Sequence, residues 1–222
     1  MAEFIYNRKF YKNWFFRKFI YLSRRAVDFR DSFVDKKVCG VSLTKYVKSV
    51  GDGSTGSQST PYYVLDEIFK DADFKPEDSF IDVGCGRGRV LAYMARKKYP
   101  CKISGIELNG EVAAFTQNWA RKYANVNVIC GNAFDLDYNQ YNVIFMGRPF
   151  EPDLFHKFID LLETTLSHPI TLYYWVDQQS GRYLKGRKGW DRILRKRIFW
   201  RKGFFVANSP QGYSIWTFTP VR

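Results

Sequence analysis

The run Phe80-Ile-Asp-Val-Gly-Cys-Gly-Arg-Gly-Arg-Val90 carries the most specific chemistry in this chain. Phe80 to Val83 read as a buried strand, Gly84, Gly86 and Gly88 as a tight turn, and Val90, Leu91 and Met94 as the inner face of a helix. Glycine at alternate positions lets the backbone turn sharply and leaves room for a flat ligand against the main chain. The first turn of the helix that follows offers unpaired N–H groups, which suit a carboxylate or phosphate. Asp82, at the strand's end, would repel a pyrophosphate and attract a cation. Dinucleotide sites read G-x-G-x-x-G, whereas here the third position is Arg89 and the third glycine, Gly88, comes one residue early. A nicotinamide or flavin dinucleotide does not fit.

Asp82-x-Gly84-x-Gly86-x-Gly88 resembles the first motif of class I S-adenosylmethionine-dependent methyltransferases. Lys102-Ile-Ser-Gly-Ile-Glu107 resembles their second strand, its terminal acid nineteen residues after Gly88. Asn125 to Ala133 resembles the third strand and adenine loop, and Tyr141 to Met146 the fourth strand. The resemblance covers about residues 58 to 176. It implies a Rossmann-like α/β fold: a mostly parallel seven-stranded sheet with helices on both faces and an N-terminal helical extension.

The same resemblance implies S-adenosylmethionine as cofactor. Gly84, Cys85, Gly86 and Gly88 would pass beneath it, and Asp82 would act through the loop and the methionine amino group. Glu107 would hold the ribose hydroxyls beside Leu108. Asn132 and Ala133 would border the adenine, Met146 would close the fourth strand's end, and Thr60 or Tyr63 would offer a hydroxyl to the cofactor's carboxylate. Two positions depart from the family pattern. Asn132 stands where Asp is usual, and Gly147-Arg148-Pro149-Phe150 stands where exocyclic-amine methylators carry Asn-Pro-Pro-aromatic. Arg148 is a permanent cation that cannot accept a proton. It suits an acceptor with a carboxylate or phosphate, or else it pairs with Glu151 or Asp153. Glu151, Asp177 and Tyr174 are candidate bases; no catalytic residue is assigned and the acceptor is open. The alternative is a non-catalytic methyltransferase-like protein that docks on nucleic acid or an anionic membrane.

The elements that must position these groups alternate between strand and helix, as in a parallel sheet. Helices are expected over about 89–98, 111–123 and 153–166, and strands near 79–83, 102–107, 126–130, 141–146 and 170–175. Ile193 to Trp200 and Tyr213 to Phe218 resemble the family's closing antiparallel hairpin. Residues 1–50 form a basic, aromatic extension. Its residues 4–34 read as one or two helices, with Phe10, Tyr11, Trp14, Phe15, Phe19 and Leu22 as an apolar stripe. That stripe is expected to pack across the cofactor domain, with an interfacial membrane helix as the other reading. Residues 51–60 are Gly/Ser-rich and serve as a linker or lid. The domain proper, 61–222, opens with a helix that Thr60 is placed to cap.

The net charge of +13 is concentrated. Residues 1–25 carry +6 and residues 182–202 carry +9, which leaves −2 for the other 176 residues. Such a field attracts polyanions: nucleic acid, anionic lipid or an acidic glycan. Cys39, Cys85, Cys101 and Cys130 lie outside any C-x-x-C pair, which favours reduced, buried thiols in the cytosol and argues against both a disulfide framework and a zinc site. His156 and His168 read as structural. No apolar run approaches the ~20 residues of a membrane span, and no signal-peptide pattern is seen; attachment at a membrane surface stays open.

Overall fold

The computed structural model describes residues 13–48, 50–56, 58–178 and 182–221. Phe10, Tyr11 and the first half of the basic segment 1–25 fall outside these.

Helix α1, Trp14–Cys39, starts where Asn13 accepts from the Phe15 and Phe16 N–H groups. It ends at Gly40, whose left-handed φ of 81° closes the last turn on Lys36 O. Its buried line is Ile20, Ser23, Val27, Asp31, Asp35 and Cys39. The expected stripe through Trp14, Phe15, Phe19 and Leu22 instead faces outward. The helix does cross the domain, but on its more polar side. Hydrogen bonds from other elements decide this, as described below.

Helix α2, Tyr62–Ile68, begins after Pro61 with no side-chain cap, so Thr60 does not cap it. The order is then β1 Ser79–Val83, α3 Arg89–Lys97, β2 Lys102–Glu107, α4 Gly110–Ala120, β3 Val126–Cys130 and β4 Val143–Met146. There follow α5 Pro152–Thr165, β5 Ile170–Trp175, β6 Trp190–Ile198, a short β7–β8 ribbon (Trp200–Arg201 and Phe204–Phe205) and β9 Gln211–Phe218. Expected boundaries agree within a few residues.

The seven-stranded sheet has the order β3-β2-β1-β4-β5-β9-β6. The first five strands are parallel; β9 lies antiparallel between β5 and β6. Successive residues alternate between two cores. Phe80, Phe145, Tyr173 and Trp175 face α2, α3 and the end of α1; Ile81, Ile144, Leu172 and Tyr174 face α5. Strand order reverses direction between β1 and β4, and open α/β sheets bind ligands outside the carboxyl ends at such a switch point.

Candidate functional site

A cavity of about 290 Å³ opens at that switch point. Asp82, Gly84, Cys85, Glu107, Leu108, Asn132, Ala133 and Thr60 line it, together with Val90 and Phe145. The loop after β1 is hooked onto β2, since Gly84 N and Cys85 N both donate to Ile106 O at 3.0 and 2.9 Å. The Glu107 carboxylate accepts from Gly86 N and from Asn109 N, each at 2.9 Å. One acid thereby holds the glycine turn and the start of α4 in place. A carboxylate has about four lone-pair sites, so roughly half of its accepting capacity is left for a ligand.

The glycines earn their places differently from the sequence expectation. All three have positive φ, at 72°, 54° and 82°. A Cβ on Gly84 would stand 2.6 Å from Pro149 Cβ, and one on Gly88 2.6 Å from Thr116 Cγ2 and 2.7 Å from the Trp119 ring. The missing side chains at these two positions admit the protein's own neighbours. Gly86 and Gly88 are not in the cavity wall.

Asp82 is buried, and among the described residues no donor reaches its carboxylate. Burial first, and then the charge of Glu107, raises its pKa well above the usual carboxylate range. Burial likewise pushes the Cys85 thiol well up, helped by Asp82 and Glu107, which leaves it a neutral wall group. Asn132 Oδ1 accepts from Phe134 N at 3.1 Å, so its amide oxygen already caps a short turn.

Two expected contacts lie elsewhere. Met146 is fully buried in the α5-side core. Tyr63 stacks on Phe204 and lies under the Arg30 guanidinium at 3.8 Å, outside the cavity wall. The three candidate bases line neither this cavity nor the next. Asp177 is buried against Arg195, Tyr174 stacks on Phe155 at 4.8 Å, and Glu151 is an exposed residue at the start of α5.

The Gly/Ser stretch forms part of the cavity wall. Ser54 bridges Phe150, Thr55 N donates to Pro149 O at 2.9 Å, and Thr55 Oγ1 donates to Arg148 O at 2.6 Å. Arg148 takes a positive φ of 55°, uncommon for a non-glycine residue and characteristic of functional loops. Among the described residues it forms no ion pair with Glu151 or Asp153. It lines both the first cavity and a second of about 310 Å³. The two share Thr55, Gly56, Gln58, Ser59, Thr60, Gly147 and Arg148 as a common wall. Arg24, Asp28, Tyr46, Trp175 and Asn208 are among the other residues that line the second.

Sequence reading missed the support behind the site. Arg89, in the first turn of α3, is buried and held by Asp35, with Thr44 Oγ1 at 2.8 Å and Asp31 at 3.8 Å. Tyr62 donates its hydroxyl to Asp35 and its N–H to Asp31. A signal was present: three acids, Asp28, Asp31 and Asp35, fall on neighbouring faces of an otherwise basic helix.

A family profile described as a methyltransferase domain matches residues 80–164, from β1 to the end of α5. This stretch is similar to methyltransferase domains. The family's methyl donor is S-adenosylmethionine. Two solved structures share the fold. A methyltransferase from Pyrococcus furiosus superposes with a TM-score of 0.57 at 16% identity, over 89% of this chain and 98% of its own. An RNA methyltransferase from Salinibacter ruber, in complex with S-adenosyl-L-homocysteine, superposes with a TM-score of 0.53 at 20% identity, over 74% and 95%. A probable ribosomal RNA small subunit methyltransferase A of Methanosarcina acetivorans is 22% identical over 148 residues, 67% of this chain and 54% of that protein. Pavine N-methyltransferase of Thalictrum flavum subsp. glaucum is 29% identical over 94 residues, 41% and 26% respectively. This chain therefore spans about half, or less, of the curated relatives it matches. Among the described residues no helix is long and apolar enough to cross a membrane, and no group of side chains could hold a metal.

Proposed function

We propose that this methyltransferase domain moves a methyl group from S-adenosylmethionine to an acceptor that enters through the second cavity. The carrying observation is the wall common to both cavities at Thr60, Gly147 and Arg148. It leaves a donor in the first cavity and an acceptor in the second as neighbours. The sulfonium supplies the electrophilic methyl; the chain has to bind, align and exclude water, and alignment can supply up to roughly 7–11 kcal/mol.

Glu107 would accept from the ribose hydroxyls with its remaining lone pairs. Asp82, lacking any donor of its own, would take the methionine ammonium, and the first turn of α3 its carboxylate. Thr60 would supply a hydroxyl, and Asn132 and Ala133 would border the adenine. Arg24 and Arg148 favour an acceptor that carries a negative charge. Asp28 is the one carboxylate lining the second cavity among the described residues, which makes it the base for a hydroxyl or ammonium acceptor.

The names of the ribosomal RNA relatives make RNA the first acceptor class to assay, and the basic surface supports a polyanionic partner. That surface is smaller than the count of cations implies. Arg187 pairs with Asp160 and Glu163, Arg195 with buried Asp177, and Arg201 with Glu67. Arg182, Lys185, Lys188, Lys196 and Arg197 are exposed and, among the described residues, make no such pair.

Titration calorimetry with S-adenosylhomocysteine tests the reading. One-to-one binding is expected, weakened at least about tenfold in Glu107→Ala, since a charge-assisted bond is worth more than ~1.4 kcal/mol. Absence of binding by folded protein would sink it. Asp28→Asn should keep that binding and lose transfer of tritiated methyl into the acceptor fraction.

A further inference from the structure

Helix α1 buries its more polar line and leaves its most apolar line largely exposed. Phe15, Phe19, Leu22, Ala26, Phe29 and Phe33 recur at alternating steps of four and three, which places them in one straight line on a helix. At 1.5 Å per residue the line is about 27 Å long. Its large side chains are 53–80 % exposed, a degree of exposure unusual for four phenylalanines in a row. The positions flanking the line carry Lys18 and Arg25 on one side and Arg30 and Lys37 on the other, with no acid. The three acids of the helix lie off this face; Asp31 and Asp35 are buried and Asp28 lines the second cavity.

The β7–β8 ribbon extends the same surface. Phe205 N donates to Ser23 Oγ at 2.7 Å, and the Phe205 ring meets Phe16 and Phe19 edge-on. Half-exposed Trp200 and exposed Lys202 come with it. Lys202 thus adds a cation beside the aromatic surface of α1.

We propose that this face docks on a phospholipid membrane bearing anionic headgroups, with α1 lying flat in the interface. Charge and shape select this occupant. A second copy paired along the same line would set Lys18, Arg25 and Lys37 against their own kind, which opposes self-association in either orientation; Arg30 is held by Asp31 and the Tyr63 ring. Single-stranded RNA stacks on separate aromatic platforms beside a cationic groove, whereas Leu22 and Ala26 continue the line as aliphatic groups with no π-face. A straight apolar line rimmed by lysine and arginine, with tryptophan at its end, matches the interfacial zone of an anionic bilayer. Arg24 and Asp28 line the second cavity from the other side of the helix, so docking by the apolar line leaves that cavity uncovered.

The test is co-sedimentation of the full chain with vesicles of phosphatidylcholine alone or with about 30% phosphatidylserine. Binding to the anionic vesicles is expected, reduced but not abolished by high salt. Phe15→Ser with Phe29→Ser and Phe33→Ser removes exposed rings only; it should weaken binding at least tenfold and leave S-adenosylhomocysteine affinity unchanged. Lys18→Glu with Arg25→Glu should remove the salt-sensitive part. The proposal is overturned if folded protein binds neither vesicle. It is equally overturned if the serine variant only dissolves a dimer, or only loses affinity for a single-stranded RNA. Because cofactor binding is read separately, failure here leaves the methyl-transfer reading standing.

Discussion

Arg89 grips Asp35 through two parallel hydrogen bonds, Nε to Oδ1 at 3.1 Å and Nη2 to Oδ2 at 2.7 Å, with both side chains out of solvent. The pair ties the first turn of α3, which faces the first cavity, to the last turns of α1. Asp35 also receives the Tyr62 hydroxyl and Leu43 N. The planar guanidinium fork matches a carboxylate in a way that a lysine cannot.

Removing one partner of this pair should be far worse than removing both. Asp35→Ala strands a buried guanidinium and two further donors, and should cost about 3–5 kcal/mol in urea denaturation. Replacing both, as Asp35→Leu with Arg89→Met, should recover most of that loss. A parent-like midpoint for Asp35→Ala would show that the clasp contributes little.

Asp31 sets a pH dependence of stability. Burial pushes its carboxyl up to about 6, against the opposing pull of Arg89, the Tyr62 N–H and Arg30. The folded value lies above the unfolded one of 3.8, so the unfolded chain loses this proton first as pH rises. Its contribution is therefore full at low pH and is lost as pH climbs to about 6, by roughly 3 kcal/mol. Asp31→Asn should flatten the stability curve across that window. An unchanged slope between parent and variant would refute the assignment.

Asp82 should report ligand binding through protons. Its carboxyl is held well above the usual range by burial and by Glu107, so in the free protein it keeps its proton to higher pH. An ammonium placed beside it favours the ionised form and expels that proton. Affinity for S-adenosylhomocysteine should therefore fall as pH drops through the raised value. Calorimetry in buffers of different ionisation enthalpy should show a released proton, absent in Asp82→Asn. If parent and variant release the same number, Asp82 does not face the ligand's cation.

The first cavity was legible in the sequence because its parts are local. Strand, glycine turn and helix follow one another within Phe80 to Val90, and Glu107 sits one β-α-β step later at the end of the adjacent strand. Glycine at 84, 86 and 88 permits the positive φ that each adopts, so a tight turn there could be read from residue type. What fills the space above Gly84 and Gly88 could not be read, because Pro149, Thr116 and Trp119 arrive from elsewhere in the chain.

The orientation of α1 belonged wholly to the tertiary structure. Periodicity shows that a helix has an apolar line; it cannot say whether that line or another meets the domain. The aromatic line through Phe15, Phe19 and Phe29 is the more apolar, yet the line through Ser23, Asp31 and Asp35 is buried. The reason lies in where its partners come from. Tyr62 is 31 residues from Asp31, Arg89 is 54 from Asp35, and Phe205 is 182 from Ser23. A polar group can be buried only where a matched donor or acceptor already waits, and only the folded chain brings those groups together.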